Sequence, residues 1–71
     1  MNAARTEYAL EVYNEYHDRF VEQIDVFETY EEARMYARDH DIPLEDGEYL
    51  EITEIEYDED DEEFNRTGLM V

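Results

Sequence analysis

The chain has 71 residues, 23 of them acidic and five basic, for a net charge of −18 at pH 7. That length limits it to a single domain, residues 1–71, with one thin core. The absence of Cys excludes a disulfide framework and any thiolate metal site, while 42% hydrophobic residues, including seven Tyr, argue against wholesale disorder.

From Glu7 to His17 the residues alternate as in a half-buried strand, with Tyr8, Leu10, Val12 and Tyr16 on one side and Glu7, Glu11, Tyr13 and Glu15 on the other. Asn14 to Arg19 is polar enough for a hairpin turn, although it lacks an Asn-Gly or Asp-Gly pair. Arg19 to Phe27 reads as a second strand. Phe20, Ile24 and Val26 share one register and Val21 and Phe27 the other, so a bulge or a two-sided strand is expected.

Thr29-Tyr30-Glu31-Glu32 has the form of a capping box, in which the Thr29 hydroxyl takes the Glu32 amide and Glu32 reaches back to the Thr29 amide. The helix it opens should run to Asp39 or His40. Acids fill its first turn and Arg34, Arg38 and His40 its later ones, the order the macrodipole favours. Ala33, Tyr36, Ala37 and His40 fall on one face and Met35 on the opposite one, and Pro43 prevents continuation.

Glu48 to Asp58 looks like a third strand. Leu50 and Ile52 are in one phase and Ile55 and Tyr57 in the other, which a bulge near Thr53–Glu54 would reconcile on one face. The six consecutive acids Asp58 to Glu63 suit a hairpin tip or exposed loop. Phe64 to Val71 can return as a fourth strand, weakened by Gly68. The order β-β-α-β-β implies an α+β domain, an antiparallel sheet of about four strands with one helix packed on one face.

Catalysis has little to work with. Ser, Cys and Lys are all missing, so the usual nucleophiles are gone and no base stands at a recognisable spacing from those that remain. The chain is therefore read as a binding protein, not an enzyme, with no cofactor. His17 and His40 read as a solvated turn residue and a helix C-terminal residue. The acidic run fails the EF-hand pattern, because Glu63 and Leu69 stand where Gly and a bidentate Glu are required. Only weak, non-specific divalent binding is expected of it. No run is long enough to span a membrane and no basic-then-apolar leader opens the chain, so a cytoplasmic location is expected.

Charge distribution is the remaining signal. Residues 1–44 hold eleven acids and four Arg, a net of −7, and residues 45–71 hold twelve acids and Arg66, a net of −11. Solubility asks for a net charge of only about 2–8 in a small domain. Alternate strand residues project to one side about 6.6–6.8 Å apart. Glu54, Glu56 and Asp58 have that spacing, and Glu7, Glu11 and Glu15 recur at twice it, so both sets can imitate a line of backbone phosphates. Groove lysines and arginines that neutralise phosphates would attract such a surface at long range.

In its short length, extreme acidity, lack of catalytic equipment and acidic segment Glu48–Glu63, the chain resembles the small inhibitors encoded by bacteriophages and mobile elements, including DNA mimics of the anti-CRISPR and anti-restriction kind. The resemblance implies stoichiometric inhibition of a basic nucleic-acid-binding protein or complex in the host cytoplasm. It implies no direct nucleic-acid binding, no membrane partner, and a monomer or small homo-oligomer. Expected contact residues are Glu51, Glu54, Glu56, Asp58, Glu59, Asp60, Asp61, Glu62 and Glu63, with Tyr13 and Tyr49 as aromatic anchors. Two other readings compete. One is a protein–protein adaptor or antitoxin-like module that binds through a sheet edge or the Met35 face. The other is a halophilic domain whose acidity serves a high-salt cytoplasm, an explanation that the abundant Tyr and Ile fit less well.

Overall fold

The computed structural model describes residues 3–71. Strands β1 (Arg5–Asn14), β2 (Arg19–Phe27), β3 (Glu48–Tyr57) and β4 (Glu63–Leu69) and helix α1 (Tyr30–Asp39) follow one another in the expected ββαββ order. The strands form one antiparallel sheet in the order β2-β1-β3-β4. The α+β architecture read from the sequence is the one observed.

β1 and β3 are the central pair, and their register is unbroken from Arg5↔Tyr57 to Asn14↔Glu48. The bulge expected near Thr53–Glu54 is absent. A central strand has two faces to cover, so the two apolar phases of β3 serve opposite sides of the sheet. Leu50 and Ile52 lie on the helix side and Ile55 on the other, where it is 3% exposed. The irregularities fall on the edge strands instead. β2 carries two register shifts against β1, as its split phase suggested, and β4 is shifted once against β3, beside Tyr57.

On the helix side Leu10, Ile52 and Ala33 are fully buried, and Tyr8, Ile24, Phe27, Tyr30, Tyr36, Ala37 and Leu50 pack around them. The Ala33–Tyr36–Ala37 face of α1 thus supplies the apolar cover, and Met35 is left exposed. Thr29 caps the helix by accepting the Glu32 N–H at 3.1 Å. Glu32 returns not to the Thr29 amide but to its hydroxyl, which donates to Oε1 at 3.2 Å. At the other end the His40 N–H donates to Tyr36 C=O, and its ring stacks on Tyr36 at 3.9 Å.

Both hairpin turns are shaped by a side-chain oxygen. Asn14 Oδ1 accepts the N–H groups of Tyr16 (2.9 Å) and His17 (3.2 Å), which ends β1 three residues before the expected His17. Tyr16 and Glu15 therefore leave the strand faces assigned to them. Asp58 Oδ1 plays the same part for Asp60 (2.9 Å) and Glu62 (3.0 Å). Each turn closes through an aspartate in the left-handed region, Asp18 (φ 46°) and Asp61 (φ 64°), a conformation Asp tolerates better than most residues.

Candidate partner-binding surface

The β3–β4 hairpin carries most of the predicted contact residues, and its acids divide into three groups. Asp58 is half-buried and spends its carboxylate on the turn amides. Asp61 and Glu63 are held by arginines. Arg5 donates to Asp61 Oδ1 from Nε (3.0 Å) and Nη2 (2.6 Å), and Arg66 Nε donates to Glu63 Oε2 at 2.8 Å. Glu59, Asp60 and Glu62 are exposed and make no ion pair among the described residues. Glu63 itself opens β4 and is not part of the loop. The six-residue acidic run thus presents three unengaged carboxylates at its tip.

The proposed phosphate-like rows fare differently. Glu54 and Glu56 do share a face, the helix side of the sheet, but both are half-buried. Asn65 Nδ2 donates to Glu56 Oε1 at 2.9 Å. Burial, and then the hydrogen bond and charge of Glu54, push the Tyr8 phenol above its ordinary value. Asp58 follows the strand but turns inward to the loop. The row Glu7–Glu11–Glu15 is not an exposed row at all, since Glu15 lies in the turn and Glu11 is 2% exposed. A strand whose two faces are both covered cannot display every alternate carboxylate to solvent.

Glu11 is buried on the sheet face that carries no helix. Thr53 Oγ1 donates to its Oε1 at 2.5 Å and Tyr13 OH at 3.0 Å, while Arg66 Nη1 stands 3.8 Å from Oε2. Arg66 starts on β4, two strands away, and crosses β3 to reach it. Its hydrogen bond to Glu63 and the charges of Glu63 and Glu11 hold the guanidinium above its ordinary pKa, against the opposing effect of burial. Burial raises the Tyr13 phenol, the Thr53 hydrogen bond opposes it, and the hydrogen bond and charge of Glu11 add to the rise. Glu7 completes this polar cover by pairing with Arg5 and accepting from Tyr57 OH at 3.3 Å, with the Arg5 guanidinium 4.1 Å from the Tyr57 ring centre.

Tyr13 and Tyr49 do meet. Their rings stack at 6.0 Å, and Phe20 packs edge-on to Tyr13 at 5.8 Å. Glu51 lies next to them, opposite Glu11 and over Gly68, where a Cβ would come within 2.6 Å of its Oε1. This explains why a glycine is compatible with β4 at that point. The aromatic group and the acidic tip are not brought together, however. Tyr49 and Asp58 stand at opposite ends of β3, roughly 30 Å apart at the rise of an antiparallel strand. A partner touching both would have to span most of the 39 Å long axis of the molecule.

Among the described residues no three His, Asp or Glu are gathered as a metal site would require, and no helix is long and apolar enough to cross a membrane. No family model, curated protein or solved structure matches this chain.

Proposed function

We propose that this protein is a non-enzymatic, stoichiometric binder of a basic nucleic-acid-binding surface, acting as the DNA-mimic inhibitors of the anti-CRISPR and anti-restriction kind do. The supporting observation is the scarcity of internal counter-charge. Five of the 23 acids form ion pairs, leaving eighteen with no cationic side chain within 4 Å among the described residues. Carboxylates that serve folding are paired or hydrogen-bonded, as Glu11 and Asp58 are. Those of Glu59, Asp60 and Glu62 have no such duty, and like charges held together cost stability. A groove lined with Lys and Arg supplies the missing counter-charge and gains a long-range attraction that accelerates encounter.

The reading predicts that proteins retained by the immobilised chain from host lysate at low salt are released by duplex DNA. It also predicts that the triple variant Glu59→Gln, Asp60→Asn, Glu62→Gln retains at least tenfold less of them. Retention that duplex DNA does not disturb, or that the triple variant preserves, contradicts it. Unfolding of the free chain at low salt with recovery in molar salt would instead assign the acidity to salt adaptation.

A further inference from the structure

The two edges of the sheet are built differently. β2 is interrupted by two register shifts and carries Glu22 and Asp25, both exposed, which are the usual devices that stop an edge from pairing. β4 has neither a register shift nor an acid beyond its first residues, and Arg66 is its one charge there. Its register against β3 is regular from Asn65 to Leu69, and no strand among the described residues pairs with its outer side. α1 lies over the other three strands and meets β4 only at its end, where Leu69 joins the core and Tyr30 OH donates to the Met70 C=O. Residues 64–71 contain no acid and one Arg, the longest acid-free stretch in a chain of net charge −18. Along this edge Phe64, Met70 and Val71 are exposed, Met70 by 86%.

We infer that β4 is a pairing edge and that its occupant is a second copy of this chain, joined antiparallel about a two-fold axis at Thr67. In that register Thr67 faces Thr67 of the second copy and Asn65 faces Leu69, while Phe64, at the β4 register shift, comes beside Met70, which follows the strand. Arg66 faces Gly68, on which the carboxylate of Glu51 already lies. Directly opposed residues in an antiparallel pair project to the same side. Each Arg66 therefore gains an acid of the other copy, and the exposed Phe64 and Met70 become neighbours across the pairing. At this edge two copies approach without bringing their acidic tips together, because antiparallel pairing sends the two tips in opposite directions. The result is a continuous eight-stranded sheet. This inference is independent of the proposed target, and its salt dependence is the reverse. Added salt screens the mutual repulsion of two acidic bodies and strengthens the dimer, whereas it weakens binding to a basic groove.

Sedimentation equilibrium of the full chain at low and molar salt should show a dimer whose dissociation constant falls at least tenfold with added salt. At one fixed salt, Thr67→Lys should raise that constant at least tenfold by placing two ammonium groups across the axis. The monomer fold is spared, because the new Lys faces Glu54 of its own chain. The wild type has no Cys, so Thr67→Cys treated with oxidised glutathione should give a disulfide-linked dimer, since opposed Cα atoms lie about 4.5–5.5 Å apart. Glu22→Cys on β2 should remain monomeric. A monomer at both salts, a dimer indifferent to Thr67→Lys, or equal cross-linking at both cysteines overturns the inference.

Discussion

The two hairpin turns share one local chemistry and serve opposite ends of the sheet. In each, a side-chain oxygen accepts two backbone N–H groups (Asn14 in one, Asp58 in the other) and an aspartate with positive φ closes the loop. Their surroundings differ. The first turn is docked: the Glu15 N–H donates to Gly47 C=O at 2.8 Å, and the Tyr16 ring lies where a Cβ on Gly47 would stand, 2.4 Å from the nearest carbon. The second has no backbone docking of this kind and is tethered by side chains alone, through Arg5 to Asp61 and Arg66 to Glu63. Each turn needs only one side-chain acceptor and one residue of positive φ, so Glu59, Asp60 and Glu62 of the second turn are surplus to folding. That surplus is where recognition is sought.

If backbone docking, and not local turn chemistry, sets the first turn apart, perturbing each feature should show it. Gly47→Ala should have the largest effect on stability, about 2–3 kcal/mol in urea unfolding, because it adds a Cβ at φ 83° and drives it into the Tyr16 ring. Asn14→Ala and Asp58→Ala should each cost about 1 kcal/mol, since each removes the acceptor of two turn amides that remain close to solvent. Equal costs would support a common turn chemistry, and a silent Asp58→Ala would contradict it. Smallest of all, replacing Glu59, Asp60 and Glu62 by their amides should leave the unfolding midpoint unchanged or slightly raised.

Two tyrosines of β1 add a pH dependence, Tyr13 beside the docked end and Tyr8 toward the tip end. The raised phenols of Tyr8 and Tyr13 bind their protons more tightly in the folded chain than at the ordinary value of 10.0. Their contribution is fully present below that value and is lost as pH rises through the higher folded values. Stability should therefore fall in alkali, and Tyr13→Phe should flatten that fall.

Local signals in the sequence led correctly to α1 with its Thr29 cap and to β2 with its irregular register, because capping and phase changes are written in neighbouring residues. The end of β1 and the faces of β3 were less legible. Asn14 stops β1 through a side-chain hydrogen bond that strand alternation does not register. The two phases of β3 make sense only once it is known to be central. The polar cover of the helix-free face was the least legible part. Arg5 with Asp61 and Arg66 with Glu11 are joined across 56 and 55 residues of chain, so only the strand order brings them together. For the same reason Glu11 and Asp58 could not be told from the unengaged acids Glu59, Asp60 and Glu62 by their spacing alone.

The central claim is that the three unengaged carboxylates of the β3–β4 tip serve recognition and not folding. Its most direct test is the association rate with a DNA-displaceable protein captured by the wild type, measured across a range of salt for the wild type and for the triple variant Glu59→Gln, Asp60→Asn, Glu62→Gln. The account predicts a rate that falls steeply with salt for the wild type, a slower and much flatter profile for the variant, and the same melting temperature for both. Superimposable salt profiles, or a variant that loses binding only because it has lost its fold, would contradict it.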